Sequence, residues 1–388
     1  MNTYCDKKIG IIGGGQLGKM MILEAKRLGF YVAVLDPTVD CPASSICDLH
    51  IVSDFNDAKG YKNLAKHVDV ITYEFEHINA TILEELELKG HKIYPSVKTL
   101  KKIQNKYIQK SELKAAGLPV PRFVKVSNEK DIENWIKDNE LQYPLMLKTT
   151  TSGYDGKGNA VINSAKDIEA AYKKLGSGKI ELMLEEFILL DKEVSIIICT
   201  TINGDREIYP VAENTHVNSI LDTTITPARI TETVNDEISG IVDKVMQVFE
   251  SVGTFCIELF IAKNGEVYVN EVAPRPHNSG HYTIEVCFAN QFENHIRAIV
   301  GLPLGCTKQT KPAVMVNLLG ESDGTAKLIG LEEAYKDKNV HVHYYGKAIS
   351  KIDRKMAHYT VVADTIDEAI KRAEELKKIL HVVGEKDG

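Results

Sequence analysis

Residues 256–272 read Cys256-Ile257-Glu258-Leu259-Phe260-Ile261-Ala262-Lys263-Asn264-Gly265-Glu266-Val267-Tyr268-Val269-Asn270-Glu271-Val272. Asn-Gly between two apolar, β-rich runs is a strong short-range hairpin signal, and it usually marks a two-residue turn. With Asn264-Gly265 as that turn, Glu258 stands opposite Glu271 and Phe260 opposite Val269. Opposed residues on one face have Cβ atoms roughly 4.5–5.5 Å apart. Two carboxylates that close repel and raise each other's pKa. A divalent cation removes the repulsion, and Mg²⁺ typically takes one or two carboxylates together with substrate phosphates. A solvated rim, with both side chains turned away, is the plain alternative.

The second strand runs on into Ala273-Pro274-Arg275-Pro276-His277-Asn278-Ser279-Gly280-His281. Arg275 has the planar fork that suits bicarbonate or a carboxylate, and His277, Asn278 and Ser279 are potential donors to a substrate. Upstream, Lys148 ends an apolar strand and precedes 149–158, which carries Gly153, Gly156 and Gly158 with Tyr154, Asp155 and Lys157. That is longer than a simple hairpin needs. A loop of this composition can fold over phosphate groups, with Lys148 as a point charge; an ordinary surface hairpin is the alternative.

Nearer the amino terminus, Gly13-Gly14-Gly15-Gln16-Leu17-Gly18 lies between a buried strand and a helix. Glycines let backbone amides approach an anion, and the helix start adds its positive end. The pattern fits the dinucleotide fingerprint, with Asp36 where a ribose ligand would stand. A different phosphate site is the other functional reading, and a purely structural tight turn is the plain alternative.

The chain has 388 residues, 26% charged and 44% hydrophobic, with net charge −7, which predicts two or three domains. The acidic balance argues against a general nucleic-acid binder. Seven cysteines without a CxxC pair argue against a disulfide framework. No apolar run reaches the length of a membrane span, so a cytoplasmic protein is expected. Residues 1–105 alternate strand and helix, predicting a parallel sheet. Residues 98–116 read as one helix. Residues 106–300 read as α+β on antiparallel sheet, and 301–388 as a third, β-rich region ending in a charged helix. Tyr345-Gly346-Lys347 and Arg354-Lys355 are basic, read either as a solvated face or as a phosphate pocket.

Taken in order, these pieces resemble the ATP-grasp superfamily, and within it the 5-(carboxyamino)imidazole ribonucleotide synthases. The specific segments are 14–18, 152–158 and 270–281. The resemblance implies an α/β and α+β architecture: a Rossmann-like amino-terminal parallel sheet, a central ATP-grasp domain with a lid near 122–182, and a small carboxy-terminal β-rich domain. It implies that Lys106 and Lys148, with help from Lys102, hold ATP phosphates. Gly153, Tyr154, Asp155, Gly156, Lys157, Gly158 and Asn159 would close over them. Glu185, Glu186, Phe187 and Ile188 would read adenine, Glu193 the ribose, and His216 would lie near the nucleotide, as would Asn270. Glu258 and Glu271 would hold Mg²⁺; Ala273 replaces the asparagine many ATP-grasp members place there, leaving two carboxylates for the metal. Gly15, Gln16, Leu17, Glu74, Asn278, Ser279, Lys347 and Arg354 would bind the ribonucleotide. Arg275, His277 and Tyr154 would be catalytic.

The reaction so implied is ATP- and bicarbonate-dependent carboxylation of the exocyclic amine of 5-aminoimidazole ribonucleotide through carboxyphosphate, in purine biosynthesis, by a homodimer. Rivals are a formate-using glycinamide ribonucleotide transformylase, an NAD-dependent oxidoreductase suggested by the glycine turn, and a catalytically silent nucleotide-binding module.

Overall fold

The computed structural model describes residues 6–151, 153 and 158–386. Buried apolar runs build the amino-terminal layer: β1 (Lys8–Ile12), β2 (Tyr31–Leu35), β3 (Leu49–Ile51), β4 (Val70–Tyr73) and β5 (Lys92–Ile93). They form an all-parallel sheet in the order β3-β2-β1-β4-β5, joined through α1 (Gln16–Arg27), α2 (Ala58–His67) and α3 (Ala80–Leu88). The strand order reverses between β1 and β4. Their carboxyl ends therefore open the crevice where such sheets bind ligands, and they carry the glycine turn and Glu74.

The single helix expected over 98–116 is two, α4 (Val97–Gln104) and α5 (Lys106–Ala115). Asn105 is extended at φ −108°, ψ 112°, and its side chain accepts from the Ile108 N–H at 3.0 Å. Asparagine favours such caps over helix interiors. The break puts Lys106 at the start of a new helix.

A four-stranded antiparallel sheet follows, in the order β6-β9-β7-β8, from β6 (Phe123–Val126), β7 (Leu145–Thr149), β8 (Asn159–Ile162) and β9 (Leu182–Glu186). Its apolar face packs α6 (Glu129–Asp138) and α7 (Ile168–Lys174) through Ile132, Leu145, Leu147 and Ile168.

The remaining elements are β10 (Leu190–Thr200), β11 (Arg206–Ile208), β12 (Ala212–Val217), β13 (Ile220–Thr226), α8 (Glu232–Val248), β14 (Gly253–Ala262), β15 (Val267–Ala273), α9 (Thr283–Val286) and α10 (Gln291–Val300). Beyond them come β16 (Ala313–Leu319), β17 (Gly324–Ile329), α11 (Leu331–Ala334), β18 (Val340–Tyr344), β19 (Ile349–Ser350), β20 (Lys355–Val362), α12 (Ile366–Leu376) and β21 (His381–Glu385). One nine-stranded sheet runs β15-β14-β10-β12-β13-β16-β20-β18, with β11 on β10. Residues beyond 301 thus extend the central sheet, pairing Thr223 with Val316 and Thr226 with Ala313. They also add a small sheet of their own, β19-β17-β21.

The β14–β15 hairpin corrects the expected turn. Ala262 donates its N–H to Glu266 O at 2.9 Å, and Gly265 donates to Ala262 O at 2.8 Å. The loop is therefore three residues long, with Gly265 at φ +88°, a conformation that favours glycine. Phe260 pairs with Tyr268, and Leu259 with Val269, so the expected Phe260–Val269 pairing is wrong by one residue. A bulge at Asn270 then adds the missing residue, and Glu258 again stands opposite Glu271.

His295 on α10 fastens the two large sheets together. Its Nδ1 accepts from the Thr254 N–H at 3.0 Å, and its Nε2 donates to Thr72 Oγ1 at 2.8 Å. Phe292 and Ile296 of the same helix pack on Ile22 and Ala25 of α1 in one core. Among the described residues no helix is long and apolar enough to cross a membrane.

Candidate active site

The site is built on one face of the nine-stranded sheet. Ser195, Glu258 and Glu271 are consecutive partners across β10, β14 and β15. Thr224, Asn214, Glu193 and Phe260 form the next cross-strand row. Opposed residues share a face, and so do residues two apart on a strand.

Burial and then the facing Glu271 carboxylate push the Glu258 pKa up. Glu271 Oε2 accepts from Lys106 Nζ at 2.6 Å, and Glu258 Oε1 lies 3.2 Å from His277 Nε2. Burial works against the Lys106 ammonium, but Glu271, with Glu258 and Glu76 behind it, outweighs burial and raises its pKa. Two half-buried carboxylates directly opposed are hard oxygen donors of the kind Mg²⁺ takes, so the donor set fits such an ion. Among the described residues no cluster of three or more His, Cys, Asp or Glu forms a complete metal cage; a bound ion would need oxygens from phosphate and water.

Arg275 forks onto Glu76, with Nε donating to Oε2 at 2.6 Å and Nη2 to Oε1 at 3.3 Å. Burial alone would raise the Glu76 pKa, yet the Arg275 guanidinium draws it down to about 2. Burial, then Arg275 and Lys355, hold His277 well below the ordinary imidazole range, so it is neutral. Its Nδ1 lies 2.8 Å from Ser279 Oγ and accepts from the Ser279 N–H at 3.3 Å.

The lysines stand at the base of the glycine loop. The Lys106 N–H donates to Thr150 O at 2.7 Å, and the Thr149 N–H to Gly158 O at 2.8 Å. A Cβ on Gly158 would meet Thr149 Oγ1 at 2.5 Å, and its φ is +99°, so only glycine closes this neck. Lys148 Nζ donates to Glu185 Oε1 at 2.8 Å, and Lys110 Nζ lies 3.2 Å from Glu185 Oε2. Burial brings the Lys110 pKa down to about 8, Glu185 opposing it. Three lysines thus converge where Glu185 is the nearest counter-charge for two of them. Glu193 Oε2 lies 2.6 Å from His216 Nδ1; burial disfavours charge on that ring, but the Glu193 contact raises its pKa overall.

The glycine turn is filled from within. Glu74 Oε1 accepts from the Gly15 N–H at 2.6 Å and Oε2 from the Gly18 N–H at 2.7 Å. Cβ atoms on Gly13 or Gly15 would strike the Glu74 side chain at 2.4 and 2.6 Å. Asp36 accepts from Gly14 and Thr38, so both its oxygens serve the turn and not a ribose. Lys347 donates to Lys355 O at 2.6 Å and lies close enough to Glu74 to lower its pKa against the larger effect of burial. The adjoining carbonyl of Tyr345 accepts from Lys19 Nζ of α1 at 2.9 Å. Residues 16, 17, 74 and 347, far apart in the chain, therefore gather at one crevice.

Lys102 pairs with Glu112 and lines a separate cleft with Lys98, Gln247 and Glu250. Arg354 is exposed and donates to Ile349 O at 2.9 Å. Asn278 exchanges both ends of its amide with Asn317, at 3.0 and 2.8 Å, so it is not an idle donor. Glu186 ends β9 in a two-point pair with Arg122, both at 2.9 Å, and Phe187 and Ile188 follow in the connection to β10. Asn159 begins β8 opposite Lys148. Gly153 is described; Tyr154, Asp155, Gly156 and Lys157, with Ser152, lie outside the described residues.

Sequence reasoning missed Glu76, Lys110 and Ser195 as members of the site. Lys110 is one helical turn after Lys106, a spacing that was legible. Glu76 follows a parallel strand's carboxyl end, where ligands bind. Nothing local marks Ser195.

Residues 6–104 match the ribonucleotide synthetase preATP-grasp domain, 111–292 the ATP-grasp domain, and 313–372 the phosphoribosylaminoimidazole carboxylase C-terminal domain. The N5-carboxyaminoimidazole ribonucleotide synthase of Staphylococcus aureus (strain COL) is 41% identical over 362 residues, 93% of this chain and 94% of its own. The chain belongs to the N5-carboxyaminoimidazole ribonucleotide synthase family. Within that synthase family, the Thermotoga maritima crystal structure is 46% identical with a TM-score of 0.88, covering 98% of this chain and all of its own. The Aspergillus clavatus synthase, in complex with ADP and 5-aminoimidazole ribonucleotide, is 33% identical with a TM-score of 0.89, covering 97% and 99%. A synthase of this family is an ATP-grasp ligase, and this chain shares that class.

Proposed function

We propose that this chain carboxylates the exocyclic amine of 5-aminoimidazole ribonucleotide, consuming ATP and bicarbonate. The observation that carries the reading is the opposed pair Glu258 and Glu271 beside Lys106 and neutral His277. Lys106, Lys148 and Lys110 supply positive charge for a triphosphate. The crevice of Gln16, Leu17 and Lys347 suits the ribonucleotide phosphate, with α1 adding its positive end. Mg²⁺ held by Glu258 and Glu271 would neutralise charge on the transferring phosphoryl group.

A bicarbonate oxygen attacks the γ-phosphorus, the bond to the β-phosphate oxygen breaks, and ADP leaves with carboxyphosphate formed. The ribonucleotide amine then attacks the carboxyl carbon, phosphate departs with the C–O electrons, and the amine loses a proton to it. Arg275, held by Glu76, orients the carboxyl group. His277 faces the same group with an N–H. A cation held by Glu271 would release Lys106 from that carboxylate, leaving its ammonium to pair with phosphate charge.

Purified protein with Mg-ATP and the ribonucleotide should release ADP faster when bicarbonate is added; equal rates with and without it would remove the proposal. Replacing the ribonucleotide and bicarbonate by glycinamide ribonucleotide and formate should give no ADP. A homodimer, and a cytoplasmic setting that keeps the unpaired thiols reduced, belong to the same proposal; sedimentation tests the first.

A further inference from the structure

Behind His277 lies a file of buried polar side chains that the reaction scheme does not use. Thr224 Oγ1 lies 2.9 Å from Asn214 Oδ1, and Asn214 Nδ2 lies 2.8 Å from Ser195 Oγ. Ser195 Oγ lies 2.8 Å from Ser279 Oγ, and Ser279 Oγ lies 2.8 Å from His277 Nδ1. Relative exposure is 0% at Thr224, 8% at Asn214 and 1% at both serines. Three strands and the segment after β15 contribute to a line some two rows deep in the sheet.

The direction of this line follows from its inner end. Nδ1 of His277 accepts the Ser279 N–H, so that nitrogen carries a lone pair and no hydrogen. Ser279 Oγ must then donate to it, since a bond at 2.8 Å between two lone pairs is repulsive. Ser279 thereby has only acceptor capacity left for Ser195, so Ser195 donates. Ser195 in turn accepts from the Asn214 amide N–H, and Asn214 accepts from Thr224. Each group has one role, and aligned hydrogen bonds reinforce one another. The imidazole hydrogen falls on Nε2, on the side of Glu258.

We infer that Thr224, Asn214 and Ser195 are positioning residues that fix His277, through Ser279, as the Nε2–H tautomer, so that it presents a donor and not a base to the reacting carboxyl group. The inference rests on the ligase reading for the identity of that group, but not for the tautomer. Glu258 also favours Nε2–H, yet a carboxylate shared with a cation offers less charge. The hydroxyl file acts from the opposite edge of the ring. Holding an imidazole in one tautomer is a known lever on turnover.

The experiment has two arms. Uniformly ¹⁵N-labelled protein, without nucleotide, is examined by long-range ¹H–¹⁵N correlation, with the His277 signals assigned by their loss in His277→Gln. The expected spectrum has Nδ1 in the unprotonated range and Nε2 in the protonated range. A protonated Nδ1, or averaged shifts, in the wild-type protein overturns the inference whether or not the protein turns over. In the second arm, Thr224→Val and Ser195→Ala should shift the nitrogens toward averaging. They should also lower kcat by about tenfold, a small part of what an acid–base group contributes, with KM for ATP unchanged. Thr224→Ser, which restores the hydroxyl, should restore both readouts. Equal losses in Thr224→Val and Thr224→Ser would mean packing alone, and would sink it. Absence of bicarbonate-dependent turnover in the wild type would instead remove the ligase reading and leave the tautomer result standing.

Discussion

Lys106 Nζ lies 2.6 Å from Glu271 Oε2, so one member of the opposed carboxylate pair takes its counter-charge from the first residue of α5, whose N–H is tied to the base of the glycine loop. The opposed carboxylates and the base of the glycine loop thus meet at a single ion pair.

Glu271→Gln keeps the shape and removes the charge. It should lower bicarbonate-dependent ADP release by about 10²-fold, of the order expected for losing an electrostatic anchor in a closed site. Steady-state kinetics at saturating Mg-ATP checks this. A variant within threefold of wild type would exclude Glu271 from the cation site.

Arg275 and Glu76 are partners whose loss is unequal. Arg275→Met leaves a carboxylate without its cation and should destabilise the fold by about 3 kcal/mol, since breaking a buried pair strands the other charge. Glu76→Gln with Arg275→Met should recover much of that loss. Urea denaturation measures both; identical midpoints for single and double variants would show that the pair is not coupled.

Stability should fall in mild acid. Burial brings the His295 pKa from 6.5 down to about 3. As pH falls, the unfolded chain takes up this proton first. The stability held above pH 6.5 is therefore lost progressively toward 3, at up to about 1.4 kcal/mol per pH unit for one group. Glu76, whose folded pKa is about 2 against an ordinary value of 4.5, adds a loss only below about 4.5. Denaturation of His295→Asn should show a flatter slope between pH 6.5 and 4.5. An unchanged slope would mean that His295 does not titrate as its burial implies.

Gly18→Ala tests the turn. The added Cβ would lie 2.4 Å from Gly13 O, a backbone atom that cannot swing away. Overpacking of this kind costs about 1–3 kcal/mol, and the displaced turn should raise KM for the ribonucleotide more than KM for ATP. Scanning calorimetry and the two KM values check it; an unaltered Tm would contradict the geometry.

The parallel sheet was readable because β1, β2 and β4 are short apolar runs and helices follow β1, β3, β4 and β5. The opposition of Glu258 and Glu271 was also reached from sequence, but through two errors that cancel. The loop is one residue longer than Asn-Gly suggests, and the bulge at Asn270 restores the register. Both are backbone choices that side-chain patterning does not encode. Asn105 carried a capping signal inside a helical pattern and was passed over. Ser195 could not be found locally, because its partner Ser279 lies 84 residues away; Glu76 follows the carboxyl end of β4, but its partner Arg275 lies 199 residues away. Lys102 and Arg354 contact Glu112 and the Ile349 carbonyl, partners that their spacing in the sequence does not announce.

Because β16 completes the hydrogen-bond ladder of β13, the region after 301 is not a detachable module. A chain ending there would present the bare backbone edge of β13 to solvent, an invitation to self-association. Chimaeras with related enzymes should therefore be joined around Asn105, where one helix stops and another starts, and not near residue 301, where a splice would divide a ladder between two parents.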